Sequence, residues 1–139
     1  MRFVDSNVFI HAFLKPRRAL SESEKKLKED AKRVVARVNA GEKVMTSVVH
    51  IAEIANILED NLESGTSLEI MKSLVMNENL EIDAVSREDC LSAIGEMEDT
   101  GVGLNDSIAH AVMRKNGLLE VYSFDKDFDS FEDLKRLTK

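Results

Sequence analysis

Four carboxylates occupy positions where a soluble chain ordinarily avoids unpaired charge. Asp5 directly follows Phe3-Val4, and Glu53 interrupts the run Val48-Val49-His50-Ile51-Ala52. Asp106 stands ahead of Ile108-Ala109-His110-Ala111-Val112, and Asp125 follows Val121-Tyr122-Ser123-Phe124. A carboxylate buried without a partner is costly or is driven to its neutral form. Four of them persist most cheaply when the fold gathers them around a cation. A divalent ion held by oxygen ligands alone points to chemistry on phosphates.

Taken singly, three of these acids have an ordinary explanation. Asp5-Ser6-Asn7 and Asn105-Asp106-Ser107 are good helix starts, because Asp, Ser and Asn all cap orphan backbone N–H groups. Asp125-Lys126-Asp127 reads equally as an acidic turn closed by Asx hydrogen bonds. Glu53 resists such a reading, since caps do not occur a turn and a half into a helix. Its alternative is a narrow polar stripe shared with Asn56 and Asp60.

The elements that must position these acids follow from periodicity and capping signals. A short strand over 2–5 leads into a helix from Ser6 to about Leu14, ended ahead of Pro16. Ser21-Glu22-Ser23-Glu24 is a capping box, and Leu27, Ala31, Val34, Val35 and Val38 repeat at helical spacing up to the stop at Gly41. Residues 43–46 form a second strand, and Ser47 caps the helix that carries Glu53. Thr66-Ser67-Leu68-Glu69 is a further capping box, opening a helix to about Asn77. Residues 80–85 alternate as a strand, and Ser86 caps a helix reaching about Thr100. After the loop 101–103 a helix runs from about Asn105 to Asn116, followed by a strand at 120–123, a short helix and a last strand. Strands alternating with helices predict a parallel sheet covered on both faces. In such sheets sites form beyond the carboxyl ends of the strands, where Asp5 and Asp125 fall.

A length of 139 residues predicts one domain over 1–139 with a proper core. No apolar run approaches the roughly 20 residues that span a bilayer. Asp5 breaks the first apolar stretch, which argues against a signal peptide. Cys90 is the single cysteine, so no disulfide framework or thiolate metal cluster is available. These features read as a cytoplasmic protein without membrane association. The net charge of −7 argues against a nucleic-acid partner, but residues 15–37 hold nine Lys/Arg against four Asp/Glu. That stretch reads as a phosphate-facing surface or as a solvated helix face.

In order along the chain, Phe-Val-Asp-Ser-Asn-Val-Phe (3–9), Thr-Ser-Val-Val-His-Ile-Ala-Glu-Ile (46–54), Leu-Asn-Asp-Ser-Ile-Ala-His-Ala (104–111) and Ser-Phe-Asp-Lys-Asp-Phe-Asp (123–129) resemble the four acidic motifs of PIN-domain ribonucleases. Many of those are the toxins of VapBC toxin–antitoxin systems. The resemblance covers essentially the whole chain. It implies a three-layer α/β/α sandwich with a central parallel sheet, and a Mg²⁺- or Mn²⁺-dependent endoribonuclease. It makes Asp5, Glu53, Asp106 and Asp125 the catalytic and metal-site acids. Ser6 and Ser123 match the accompanying hydroxyl residues, and Asp127 an additional acid. It also implies an RNA substrate, a cognate antitoxin and a homodimer, for which Leu62, Met71 or Met76 would offer apolar contact.

The chemistry of the residues agrees with that expectation. Mg²⁺ keeps several waters and takes direct bonds from one or two carboxylates, for which Asp5 and Asp106 are the first choice. Glu53 or Asp125 then orients the attacking water or completes a second metal site. Asn105 departs from the pattern, and His11, His50 and His110 are expected to be structural or superficial. A haloacid-dehalogenase-like phosphatase would need an acid where Asn7 stands. A phospho-acceptor receiver domain would need an acid pair after the first strand and a strand-end lysine. The remaining rival is a non-catalytic PIN-like binding module.

Overall fold

The computed structural model describes residues 1–139. The chain runs β1 (Arg2–Val4), α1 (Ser6–Phe13), α2 (Glu22–Asn39), β2 (Val44–Ser47), α3 (Val48–Asn61), α4 (Ser64–Val75), β3 (Leu80–Asp83), α5 (Arg87–Thr100), α6 (Leu104–Lys115), β4 (Glu120–Tyr122), a 3₁₀ turn (Lys126–Ser130) and β5 (Lys135–Leu137). The strands form one sheet in the order β3-β2-β1-β4-β5, with every neighbouring pair parallel.

Side-chain alternation divides the apolar residues between two layers. Phe3, Met45 and Val121 point to one face, where they meet Ala93 of α5 and Ile108, Ala109, Val112 and Met113 of α6. Val4, Val44 and Tyr122, one residue along in register, point to the other face. There they meet Val8 and Phe9 of α1, Val34 and Val38 of α2, Ile54 and Leu58 of α3 and Leu74 of α4. The result is the expected three-layer sandwich, with β1 central and buried on both sides. No helix is long and apolar enough to cross a membrane.

Capping chemistry sets most of the helix starts. At Ser21 and Ser86 both halves of the capping box are formed, with Glu24 and Asp89 returning to the cap backbone. Ser47 ends β2 and caps α3 through the His50 N–H, so strand and helix meet without a loop. Gly101 closes α5 in the left-handed region (φ 73°), which frees the chain to turn into α6 within three residues.

Two helix starts differ from the sequence expectation. α4 begins at Ser64 rather than after Thr66, because Ser67 is buried and its hydroxyl bonds back to the Ser64 carbonyl at 3.1 Å. The Thr66 capping pattern therefore lies inside a turn that tertiary burial has already made helical. α6 begins at Leu104 with Gly103 as its cap, which moves Asn105 and Asp106 into the first turn. Of the residues expected to offer an apolar contact surface, Leu62 and Met71 pack against the core, and Met76 stays exposed.

Leu58 is fully buried in the layer beneath α1–α4. Leu58→Ala is expected to lower stability by about 3 kcal/mol. Met76→Ala, on the surface, is expected to change it by less than about 0.5 kcal/mol. Urea unfolding monitored by circular dichroism measures both.

Candidate active site

The strand order reverses between β1 and β4: the chain moves outward to β2 and β3 on one side and to β5 on the other. A crevice opens at the carboxyl ends of strands at such a reversal. Asp5 lies directly beyond β1, and Ser123 and Asp125 lie directly beyond β4.

Asp5 caps α1 and is 4% exposed. Its Oδ1 accepts the Ser6 N–H at 2.8 Å, and its Oδ2 accepts the Ser123 hydroxyl at 2.7 Å, tying the end of β1 to the end of β4. Ser123 in turn accepts from the Asp125 N–H at 3.0 Å and from Asn7 Nδ2 at 3.3 Å. Asn7 Oδ1 accepts the Phe124 N–H at 3.4 Å, so Asn7 holds the β4 exit from the α1 side.

Glu53 projects from the second turn of α3 and is half-buried. One carboxylate oxygen accepts the Ser6 hydroxyl and the other accepts Asn105 Nδ2. It therefore does not lie on a solvated stripe with Asn56 and Asp60. Asp106 reaches in from the first turn of α6. Carboxylate oxygens of Asp106, Asp125 and Asp127 all lie within 4.8 Å of one another. Asp125 also closes the expected Asx turn, its Oδ1 accepting the Asp127 N–H at 2.9 Å.

Asp5, Ser6, Asn7, Glu53, Asn105, Asp106 and Asp125 line one cavity of about 480 Å³, together with Gly103 and Leu104. Ser123 lies behind the lining, bonded to Asp5, and the exposed Asp127 stands beside Asp106 and Asp125. No lysine, arginine or histidine is among the lining residues. Five oxygen-bearing acids without a cationic side chain form a donor set that suits a hard divalent ion.

The electrostatics report the same strain. Burial raises the Asp5 carboxyl to about 6; the Ser123 hydrogen bond opposes that rise, while Glu53 and Asp125 add to it. Asp106 is raised to about 8, first by desolvation and then by Asp5, Asp125 and Asp127. Without a counter-charge the cavity retains a proton on Asp106 at neutral pH.

The histidines separate. His110 is held between Glu96 at 2.7 Å and Asp133 at 2.9 Å, with its ring on Phe131, and ties α5 and α6 to the segment before β5. His11 is exposed and sets its ring edge against Phe124. His50 is fully buried behind Asp5, with Nδ1 2.6 Å from Ser47 Oγ and Nε2 3.9 Å from Asp5 Oδ1. Burial lowers its pKa to about 4, so it is neutral at pH 7. Asn7 and His50 are the site neighbours that sequence reading passed over. The only signal for His50 was its spacing of three from Glu53 on one helix face.

The PIN domain family model matches residues 2–134. The chain belongs to the PIN domain family. Solved structures share the PIN architecture at low sequence identity. The Mycobacterium tuberculosis VapC20 toxin, which cleaves the sarcin-ricin loop, aligns with TM-score 0.72 and 21% identity over 94% of each chain. A toxin–antitoxin complex from Klebsiella pneumoniae aligns with TM-score 0.71 and 15% identity over 100% of this chain and 98% of that one. VapBC2 from Rickettsia felis, bound to a DNA fragment from its promoter, aligns with TM-score 0.68 and 13% identity over 98% and 96%. No curated protein matches the PIN chain in sequence.

The raised carboxyls make stability fall with pH. Between its unfolded value and about 8 the folded chain keeps a proton on Asp106 that the unfolded chain releases, so folding loses free energy as pH rises. His50 acts in the opposite sense from about pH 4 up to its ordinary value near 6.5, which leaves the window above about pH 7 to Asp106. The metal-free PIN domain is expected to melt at a lower temperature at about pH 8.5 than at about pH 7. Asp106→Asn is expected to flatten that dependence, as read by thermal denaturation in EDTA.

Proposed function

We propose that this PIN domain, taken as one domain over residues 1–139, is a divalent-metal-dependent endoribonuclease that hydrolyses RNA phosphodiester bonds. We propose further that it is the toxin of a type II toxin–antitoxin pair. The observation that carries the reading is the cavity beyond β1 and β4, lined by Asp5, Glu53, Asp106 and Asp125 with no cationic side chain. A non-catalytic module gains nothing from keeping four acids in mutual repulsion.

Asp5, Asp106 and Asp125 would hold Mg²⁺ or Mn²⁺, with Asp127 as a further ligand at the exposed side. When bound, the ion supplies Lewis-acid charge at the phosphodiester and a more acidic water. Ser123 and the Ser6 N–H fix the Asp5 carboxylate through one bond to each oxygen, which leaves each oxygen a further lone pair for an ion. Glu53, held at both oxygens by the neutral donors Ser6 and Asn105, is aimed as the acceptor that orients the attacking water and takes its proton.

A polyanion needs a route to an acidic cavity, and one lies alongside. A second cavity of about 390 Å³ is lined by His11, Lys15, Arg17, Arg18 and Lys28 among others. Arg18 is paired with Glu24, but Arg17 and Lys28 meet only main-chain carbonyls of Asn61, His11 and Leu14, which leaves their charge uncompensated. His11 joins the two regions, because its ring contacts Phe124 next to Asp125. The RNA-cleaving activity named for the M. tuberculosis neighbour and the antitoxin partner named for the K. pneumoniae complex support the same reading. A homodimer and a cytoplasmic setting belong to this proposal.

The test is cleavage of structured and unstructured RNA by purified protein with Mn²⁺, Mg²⁺ or EDTA. Cleavage is expected with either ion and absent in EDTA. Asp5→Asn and Asp106→Asn are each expected to lower it by at least about a hundredfold while keeping the circular dichroism spectrum. Full activity in both variants would sink the proposed site. A Lys15→Ala/Arg17→Ala double variant is expected to bind RNA more weakly, with a salt slope shallower by about 1–2, at unchanged kcat. Fluorescence anisotropy across a salt series measures this.

A further inference from the structure

Among the buried side chains around the acid cavity, His50 alone has an unused hydrogen-bonding atom. It lies one turn before Glu53 on α3, fully excluded from solvent, with its ring edge-on to Phe3 at a centroid distance of 5.1 Å. Ser47 Oγ accepts the His50 main-chain N–H at 3.4 Å and sits 2.6 Å from Nδ1. With the Ser47 hydroxyl donating to Nδ1, the ring proton lies on Nε2. That Nε2–H faces Asp5 Oδ1 at 3.9 Å and the Asn105 main-chain carbonyl, and reaches good hydrogen-bond geometry with neither. An unused donor in a dry position is unfavourable. Packing against Phe3 and the bond to Ser47 account for the ring and for Nδ1, and leave Nε2 without a use.

We infer that His50 is a positioning residue for Asp5: its Nε2–H closes onto Oδ1 and holds the carboxylate in the orientation that binds a divalent ion. The inference rests on the metal-dependent reading above. Asp5 already accepts from Ser6 at Oδ1 and from Ser123 at Oδ2, and His50 approaches Oδ1 from the α3 side.

Two variants and one spectrum test the inference. His50→Phe keeps the ring volume and the edge contact with Phe3 but removes the donor. It is expected to bind Mn²⁺ about tenfold or more weakly by calorimetry, and to lower kcat for RNA cleavage without changing KM. His50→Gln, whose amide donates from a similar reach, is expected to recover most of the Mn²⁺ affinity. Unchanged Mn²⁺ affinity in His50→Phe overturns the inference. Should His50→Phe fail to fold, ¹⁵N-edited NMR of the unmodified protein decides the question. The expected result is an Nε2–H tautomer whose proton shifts on adding Mg²⁺; an Nδ1–H tautomer, or no shift with Mg²⁺ bound, overturns it. A natural protein that binds neither ion overturns the nuclease reading itself, and this inference with it.

Discussion

The site depends on holding Asp5 nearly dry without giving it a cation. Its carboxylate sits where β1 and β4 part, and the hydrogen bond from Ser123 is what joins the two strand exits. The two groups that donate to it, the Ser6 N–H and the Ser123 hydroxyl, are both neutral. Neutral donors lower the energy of the charged form without cancelling its field. Desolvation therefore still dominates at Asp5, and the acids around it raise one another. The fold tolerates this because the strand residues beneath, Phe3, Val4, Val121 and Tyr122, are at most 2% exposed and anchor the exits from both faces. Packing holds in place an arrangement that electrostatics alone would disperse.

The opposite edge of the same strands shows that the arrangement is not forced by composition. There Glu120 and Glu42 bond Arg2 at 2.7 and 2.9 Å, Arg37 reaches Glu42 at 3.2 Å, and both guanidiniums stack over Tyr122. Glu42 suffers desolvation too, yet hydrogen bonds from Tyr122 and Arg2 carry its pKa below the ordinary value. The chain has 19 lysines and arginines and sets several against acids at the amino ends of the strands. It sets none in the cavity at the carboxyl ends. Two clusters of like residue types on one sheet thus have opposite electrostatic fates. Only the second leaves its carboxylates without a cationic side-chain partner.

The layer architecture was legible because it rests on local patterns: alternation at Phe3-Val4 and Val44-Met45, helical spacing in α2, and Ser caps at α2, α3 and α5. The acids were legible because charge beside apolar runs has few uses. Contacts across long sequence separations were not legible. Nothing in Asn7 foretells its bond to a serine 116 residues later, and nothing in Glu53 foretells that Asn105 closes over it. Asn105 and Asp106 advertise a cap they do not form, because Gly103 supplies the extended cap backbone with no side-chain signal. As a cap, Asp106 would give one acceptor site to its own backbone; in the first turn it keeps them all for the cavity.

Asp5 and Asp125 resolve the choice between capping and chemistry differently, by doing both. Each gives Oδ1 to a local backbone N–H, Ser6 in one case and Asp127 in the other. A carboxylate has about four lone-pair positions, so one backbone bond leaves most of its capacity unspent. What the local bond removes is rotational freedom: an oxygen pinned to the adjoining peptide fixes the plane in which the other oxygen must lie. A free carboxylate in a repelling cluster would swing toward solvent. The short-range cap prevents that at the expense of a single acceptor site, and it needs no partner that folding must bring from afar. The acids that lack such a pin, Glu53 and Asp106, sit on longer or less constrained attachments. Glu53 is steadied instead by Ser6 and Asn105, while Asp106 is repelled by the charge of its neighbours and held only by a shared hydrogen bond with Asp125. Asp106 is accordingly the most proton-hungry of the group, and it is the acid with most to gain from a divalent counter-charge.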